Sequence, residues 1–240
     1  MNLTARERLC LALDRVNRDQ IEHLTEALRH DIGCFKINAA FVQYGPELVE
    51  TLAARGVNVF LDLKFHDIPA TVATHVGAAA ALGVDWLTVH AGGGRAMMQA
   101  AAEAARQAAQ HGKRPRILAV TILTSLDQAA LNTELRIPGS LEDHVFHLAT
   151  EALECGLDGI VCSAAELPVL RKHFPPEFAM VTPGIAGLTT SAGKDQKRVA
   201  DPVTAIRAGA TMLVIGRAIL NAENPAVIAA EIRRAIETVL

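Results

Sequence analysis

Aromatic side chains supply only 4% of the 240 residues, with one Trp and one Tyr. Such scarcity excludes the stacking platforms on which single-stranded nucleic acid is bound. Charge of one sign is missing as well: 23 Lys and Arg stand against 26 Asp and Glu, a net charge of -3. No global basic field attracts polyanions, so no nucleic-acid partner is expected and any anion site has to be local. No run of 18 residues is free of charged and polar side chains, which argues against a membrane span. The opening MNLTARERLCLALD is charged within its first eight residues and has too short an apolar run for a secretion signal. Cys10, Cys34, Cys155 and Cys162 show no C-x-x-C spacing. The reading is a reduced, cytoplasmic protein with no structural zinc and no disulfide framework. A G-x-G-x-x-G after the first apolar run is absent too, which counts against a dinucleotide-binding open sheet.

What the chain does have is aliphatic bulk, 50% hydrophobic against 20% charged, enough for one large domain or two small ones; the pattern that follows favours a single domain spanning residues 1–240. Short apolar runs alternate with segments of helical period. LCLALD precedes 17–30, CFKIN precedes 45–55, NVFLDLK precedes 69–82 and DWLTVHA precedes 95–111; RILAVTIL, DGIVCS, FAMVTP and TMLVIG continue the series. Eight strand candidates, each followed by a helix candidate, predict a (β/α)8 barrel. In that fold the active site lies at the C-terminal ends of the strands. Polar residues collect there: Asp14, Lys36 and Asn38, Asp62 and Lys64, His90, Thr124 and Ser125, Ser163, and Arg217. Some of them also have ordinary readings, His90 as a rim histidine and Ser163, Thr124 or Ser125 as helix caps.

The densest information lies in NVFLDLKFHDIP, residues 58–69. Alternation along a strand puts Phe60, Asp62 and Lys64 on one face and Leu61 and Leu63 on the other. A parallel strand buried on both faces is normally apolar, so two charges at its end carry a desolvation cost that needs an offset. Either they form a structural ion pair or they do chemistry. Pro69 suits the first position of a helix, which makes Ile68 the N-cap and leaves Asp67 outside it.

Farther along, TPGIAGLTTSAGKDQKRVADP is long and rich in Gly, Ser and Thr. A lid is expected at about 183–199. Strand 8 then runs into VIGRAIL, placing Gly216 and Arg217 where barrels commonly bind phosphate.

These motifs resemble the orotidine 5′-phosphate decarboxylase family over essentially the whole chain. The most specific is D-L-K-F-H-D-I-P at 62–69, supported in order and spacing by LALD (11–14), FKI (35–37), VHAGGG (89–94), VCSA (161–164), VTPGI (181–185), DQKRV (195–199) and VIGRAI (214–219). The resemblance implies a cofactor-free, metal-free decarboxylation of orotidine 5′-monophosphate. Lys36, Asp62, Lys64 and Asp67 form its catalytic array, with Lys64 protonating C6 and Asp62 facing the departing carboxylate. Asp14 and Lys36 hold the ribose. Asp67, Ile68 and Thr71 belong to the substrate site of the other subunit in a homodimer. Thr124, Ser125 and Pro183 surround the base, and Gln196, Gly216 and Arg217 take the phosphate. Two positions depart from the pattern. The family's TPGIR reads TPGIA, with Ala186 in place of an arginine, and VIGRPI becomes VIGRAI at Ala218. Weaker phosphate binding or a substitute cation such as Lys194 is the expected consequence. The nearest rivals are the Mg²⁺-dependent sugar-phosphate decarboxylases and hexulose-phosphate synthases, which share D-x-K-x-x-D. A second rival is a nucleotide-binding barrel that has lost turnover.

Overall fold

The computed structural model describes residues 3–110, 112–187 and 200–240. The strands β1 (Leu9–Ala12), β2 (Cys34–Ile37), β3 (Asn58–Phe65), β4 (Trp86–His90), β5 (Arg116–Val120), β6 (Gly159–Val161), β7 (Ala179–Thr182) and β8 (Met212–Ile215) are all parallel. They close into a barrel in which β8 pairs back onto β1. Each strand is followed by at least one helix, as the alternation of runs implied. Local chemistry sets the helix starts. Asn17 builds a capping box with Gln20, and Ser140, Asp201 and Asn224 each accept a first-turn backbone N–H. Pro46, Pro69, Pro202 and Pro225 occupy first helical positions, where a missing N–H costs nothing. Ile68 is the N-cap before Pro69, so Asp67 lies outside that helix. Two short helices, Ala39–Tyr44 and Gln128–Thr133, were not evident from periodicity because six residues make less than two turns.

Strand alternation sorts the apolar residues into two cores. Leu9, Leu11, Phe35, Ile37, Val59 and Leu61 face outward into the main core beneath the helices. Cys10, Ala12, Cys34, Phe60, Trp86, Leu118 and Met212 fill the barrel interior. The interior therefore ends as a packed floor under the strand termini. At the other end, the Arg116 guanidinium lies 4.8 Å from the centroid of the Trp86 ring. Gly159 lets β6 and β7 approach, since a Cβ there would sit 2.3 Å from the Ala179 carbonyl oxygen. Asp85 and Asp158 precede β4 and β6 and accept the N–H groups of Val59 (2.9 Å) and Ile117 (2.8 Å) on neighbouring strands. Among the described residues no helix is long and apolar enough to cross a membrane.

One irregularity shapes the site. Leu61 pairs with Leu87, but the next β3–β4 partners are Phe65 and Val89, so β3 carries extra residues against β4. Lys64 sits in this bulge with φ 52°, a left-handed conformation that costs a residue with a Cβ about 1 kcal/mol or more. The bulge, rather than simple alternation, sets the direction of the lysine.

Candidate active site

A cavity of about 320 Å³ opens at the C-terminal ends of the strands. Phe60, Val120, Val161, Val181 and Val214 give it an apolar floor and walls, while Asp14 just beyond β1, Lys36 on β2, and Asp62 and Lys64 on β3 bring charge to one side of it. Arg15, Gly216 and Arg217 line it beyond the adjacent strands β1 and β8. Every strand except β4 sends at least one described residue to this lining.

The charges form a chain. Lys36 Nζ lies 3.2 Å from Asp14 Oδ2 and 3.2 Å from Asp62 Oδ2, and Lys64 Nζ lies 2.9 Å from Asp62 Oδ1. Asp62 is thus held between two ammonium groups while only 8% exposed, and Lys36 is 7% exposed. Burial works against the charge on Lys36, but Asp62 and Asp14 outweigh it and hold its ammonium above the ordinary lysine value. Behind the carboxylate, the Thr88 hydroxyl of β4 donates to Asp62 Oδ1 at 3.0 Å and accepts the Lys64 backbone N–H at 2.9 Å. Asn38 Nδ2 donates to the Asp62 carbonyl oxygen at 2.6 Å.

Of the residues singled out from sequence, Asp14, Lys36, Asp62, Lys64, Thr124, Pro183, Gly216 and Arg217 meet at the cavity. Ser125 is not part of its lining; its neighbour Thr124 is. Asp67, Ile68 and Thr71 also lie off this wall, around the start of the helix Pro69–Ala81. Asp67 is exposed and accepts the Ile68 N–H at 2.7 Å, and Ile68 is 65% exposed. Ser163 is buried just beyond the end of β6 and is not the N-cap of the next helix, which is Glu166; the Glu166 carboxylate accepts the Ser163 N–H at 2.7 Å. His90 does cap: its Nδ1 accepts the Gly92 N–H at 3.2 Å, and its ring stacks on His66 at 5.1 Å. Burial, then His66, then Lys64 hold the His90 imidazole below its ordinary value. Gln196, Lys194 and most of the expected lid lie outside the described residues.

Two contributors escaped the sequence reading. Thr88 looks like any β-branched strand residue, and only the three-dimensional register puts it behind Asp62. Arg15 followed a noticed aspartate, but nothing local marked its left-handed φ of 65° or its place on the cavity wall. Gly216 is informative in another way. A Cβ there would meet nothing closer than Ala12 Cβ at 3.5 Å, so the protein's own packing does not demand glycine. Among the described residues, no three His, Cys, Asp or Glu side chains gather as a metal site.

Fold and site together define a (β/α)8-barrel enzyme with alternating ammonium and carboxylate groups at the cavity over its C-terminal strand ends. More narrowly, the chain belongs to the orotidine 5′-phosphate decarboxylase / HUMPS family, whose model matches residues 7–232. It is 48% identical to the orotidine 5′-phosphate decarboxylase of Nitrosococcus oceani, over 92% of this chain and 93% of that one. With the enzyme of the same name from Moorella thermoacetica it shares 44% identity, covering 100% and 96% respectively. The crystal structure of orotidine 5′-phosphate decarboxylase from Lactobacillus acidophilus superposes with a TM-score of 0.83 at 32% identity, covering 95% of this chain and 98% of that chain.

Proposed function

We propose that this protein removes CO₂ from orotidine 5′-monophosphate to give uridine 5′-monophosphate in de novo pyrimidine synthesis, acting as a cytoplasmic homodimer without a cofactor. The observation that carries the reading is the buried Asp62 carboxylate pinned between Lys36 and Lys64 at the edge of an apolar-floored cavity. Breaking the C6–carboxylate bond leaves its electron pair at C6, where no adjacent carbonyl can delocalise it. The barrier reduction needed lies towards the upper part of the roughly 8 to 23 kcal/mol that enzymes supply. A fixed ammonium beside C6 stabilises the developing charge without reorganising, and Lys64 then transfers a proton from Nζ to C6. Solvent restores the proton to the amine after product leaves.

Asp62 acts on the other side of the bond. Two carboxylates about 4 Å apart repel by roughly 4 kcal/mol at an effective dielectric near 20, and departure of neutral CO₂ relieves that repulsion. Lys36 and Asp14 extend the array towards the ribose. Thr124 and Pro183, both on the cavity lining, flank the base, with Ser125 assigned beside them by the family resemblance. Gly216 and Arg217 take the phosphate together with Gln196, assigned there by the same resemblance, and the phosphate's binding energy closes the lid and excludes water. Gly216 supports that assignment because its bare backbone leaves room on the cavity wall.

The dimer accounts for Asp67, Ile68 and Thr71. Within one chain Asp67 is exposed and bonded to its own loop, and Ile68 stands open. An isologous pairing carries all three to the partner's cavity, where Asp67 completes the array next to Lys64.

The test is substrate choice under metal control. Purified protein in EDTA is predicted to convert orotidine 5′-monophosphate rapidly, followed by loss of absorbance. Turnover that waits for Mg²⁺ and a sugar phosphate would move the assignment to the metal-dependent branch of the family. Tight binding of uridine monophosphate with no turnover would make the protein a binding barrel.

A further inference from the structure

β4 supplies no residue to the cavity lining, yet its central residue touches the array twice. Thr88 is 0% exposed, and its neighbours Leu87 and Val89 belong to the outer core, so its side chain points into the barrel. A hydroxyl has one hydrogen, and here it is committed to Asp62 Oδ1 at 3.0 Å. A lone pair of the same oxygen takes the Lys64 N–H at 2.9 Å, which the β3 bulge has removed from the ladder with β4. One side chain thus ties the carboxylate that faces the leaving group to the backbone of the proton donor.

The donors on Asp62 divide between its oxygens. Oδ1 receives Lys64 Nζ and the Thr88 hydroxyl, while Oδ2 receives Lys36 Nζ. Both lysines sit on flexible stems, whereas the Thr88 hydroxyl is attached to a short, branched side chain with a restricted χ1 on a core strand. We infer that Thr88 is a positioning residue for the decarboxylation: its hydroxyl fixes the orientation of the Asp62 carboxylate and holds the bulge that aims Lys64 into the cavity. This rests on the decarboxylase reading above. With the hydroxyl removed, Asp62 loses its rigid donor and can turn with the ammoniums, and the Lys64 N–H loses its acceptor in a part-buried place. Groups that recognise phosphate and base are elsewhere, so the loss falls on turnover rather than on product binding.

The experiment compares wild type, Thr88→Val and Thr88→Ser in kcat for orotidine 5′-monophosphate, in Kd for uridine 5′-monophosphate and in melting temperature. Valine keeps the branched shape and deletes both hydrogen bonds; serine keeps both bonds and deletes the methyl group. Thr88→Val is expected to lower kcat by about 10- to 100-fold with an unchanged Kd, and Thr88→Ser to retain most of the activity. A packing role predicts the reverse order, serine as damaging as valine or more so. That order would overturn the inference even if the valine variant failed to fold. Full kcat in Thr88→Val beside an active wild type would also overturn it while leaving the decarboxylase reading intact; an inactive wild type would remove that reading itself.

Discussion

Lys36 ties the proposed chemistry to stability. It is buried between Asp14 and Asp62, and their attraction overcomes the desolvation of its ammonium. Lys36→Ala leaves Asp62 buried with half of its cationic support, a change expected to cost about 3 to 5 kcal/mol of stability. Chemical denaturation checks this, and an unchanged midpoint would show the pair to be dispensable. His90 gives a pH dependence. Its folded-state value lies below the ordinary 6.5, so the unfolded chain takes up the proton first as pH falls. The stability it contributes is therefore complete above about pH 6.5 and is lost as pH drops through the folded value. His90→Asn keeps an acceptor for the Gly92 N–H but cannot titrate. The fall in melting temperature from about pH 7 to about pH 5 should be shallower in this variant; equal slopes would contradict the assignment. Asp62 and Lys64 were legible because charge in a buried strand is anomalous. Thr88 was not, because a threonine in a strand is ordinary until its partner across the register is known.

At the scale of elements, the barrel and most helix starts could be read from alternation, caps and prolines, since those are local physics. The β3 bulge could not. It is a mismatch between two strands, and neither strand's own pattern encodes it; hence Lys64 reaches the cavity by a left-handed backbone rather than by its place in an alternating strand. The strand starts show a second device. Asp158 pairs with Arg114 through both oxygens, at 2.9 and 3.1 Å, and also accepts the Ile117 N–H. Asp158→Ala strips that N–H of its partner and should destabilise the fold by about 1 to 3 kcal/mol, with kcat unchanged because the residue sits at the opposite end of the barrel from the cavity. A loss of activity without loss of stability would count against this division of the barrel into a structural end and a catalytic end.

For the molecule as a whole, the proposed array lacks its fourth member within one chain, since Asp67 is exposed and off the cavity wall. If the partner supplies it, two inactive variants should repair each other. In a heterodimer of Lys64→Ala and Asp67→Ala, one site carries both defects and the other carries neither. Random remixing should then regain about a quarter of wild-type activity, whereas no regain would show that the sites are not shared. The central claim, that metal-free decarboxylation runs through the Lys64 ammonium beside Asp62, is tested most directly by kcat for orotidine 5′-monophosphate in EDTA, wild type beside Lys64→Ala. The account predicts rapid turnover by the wild type and a loss of at least about 1,000-fold in the variant; a variant that still turns over at a comparable rate would contradict it.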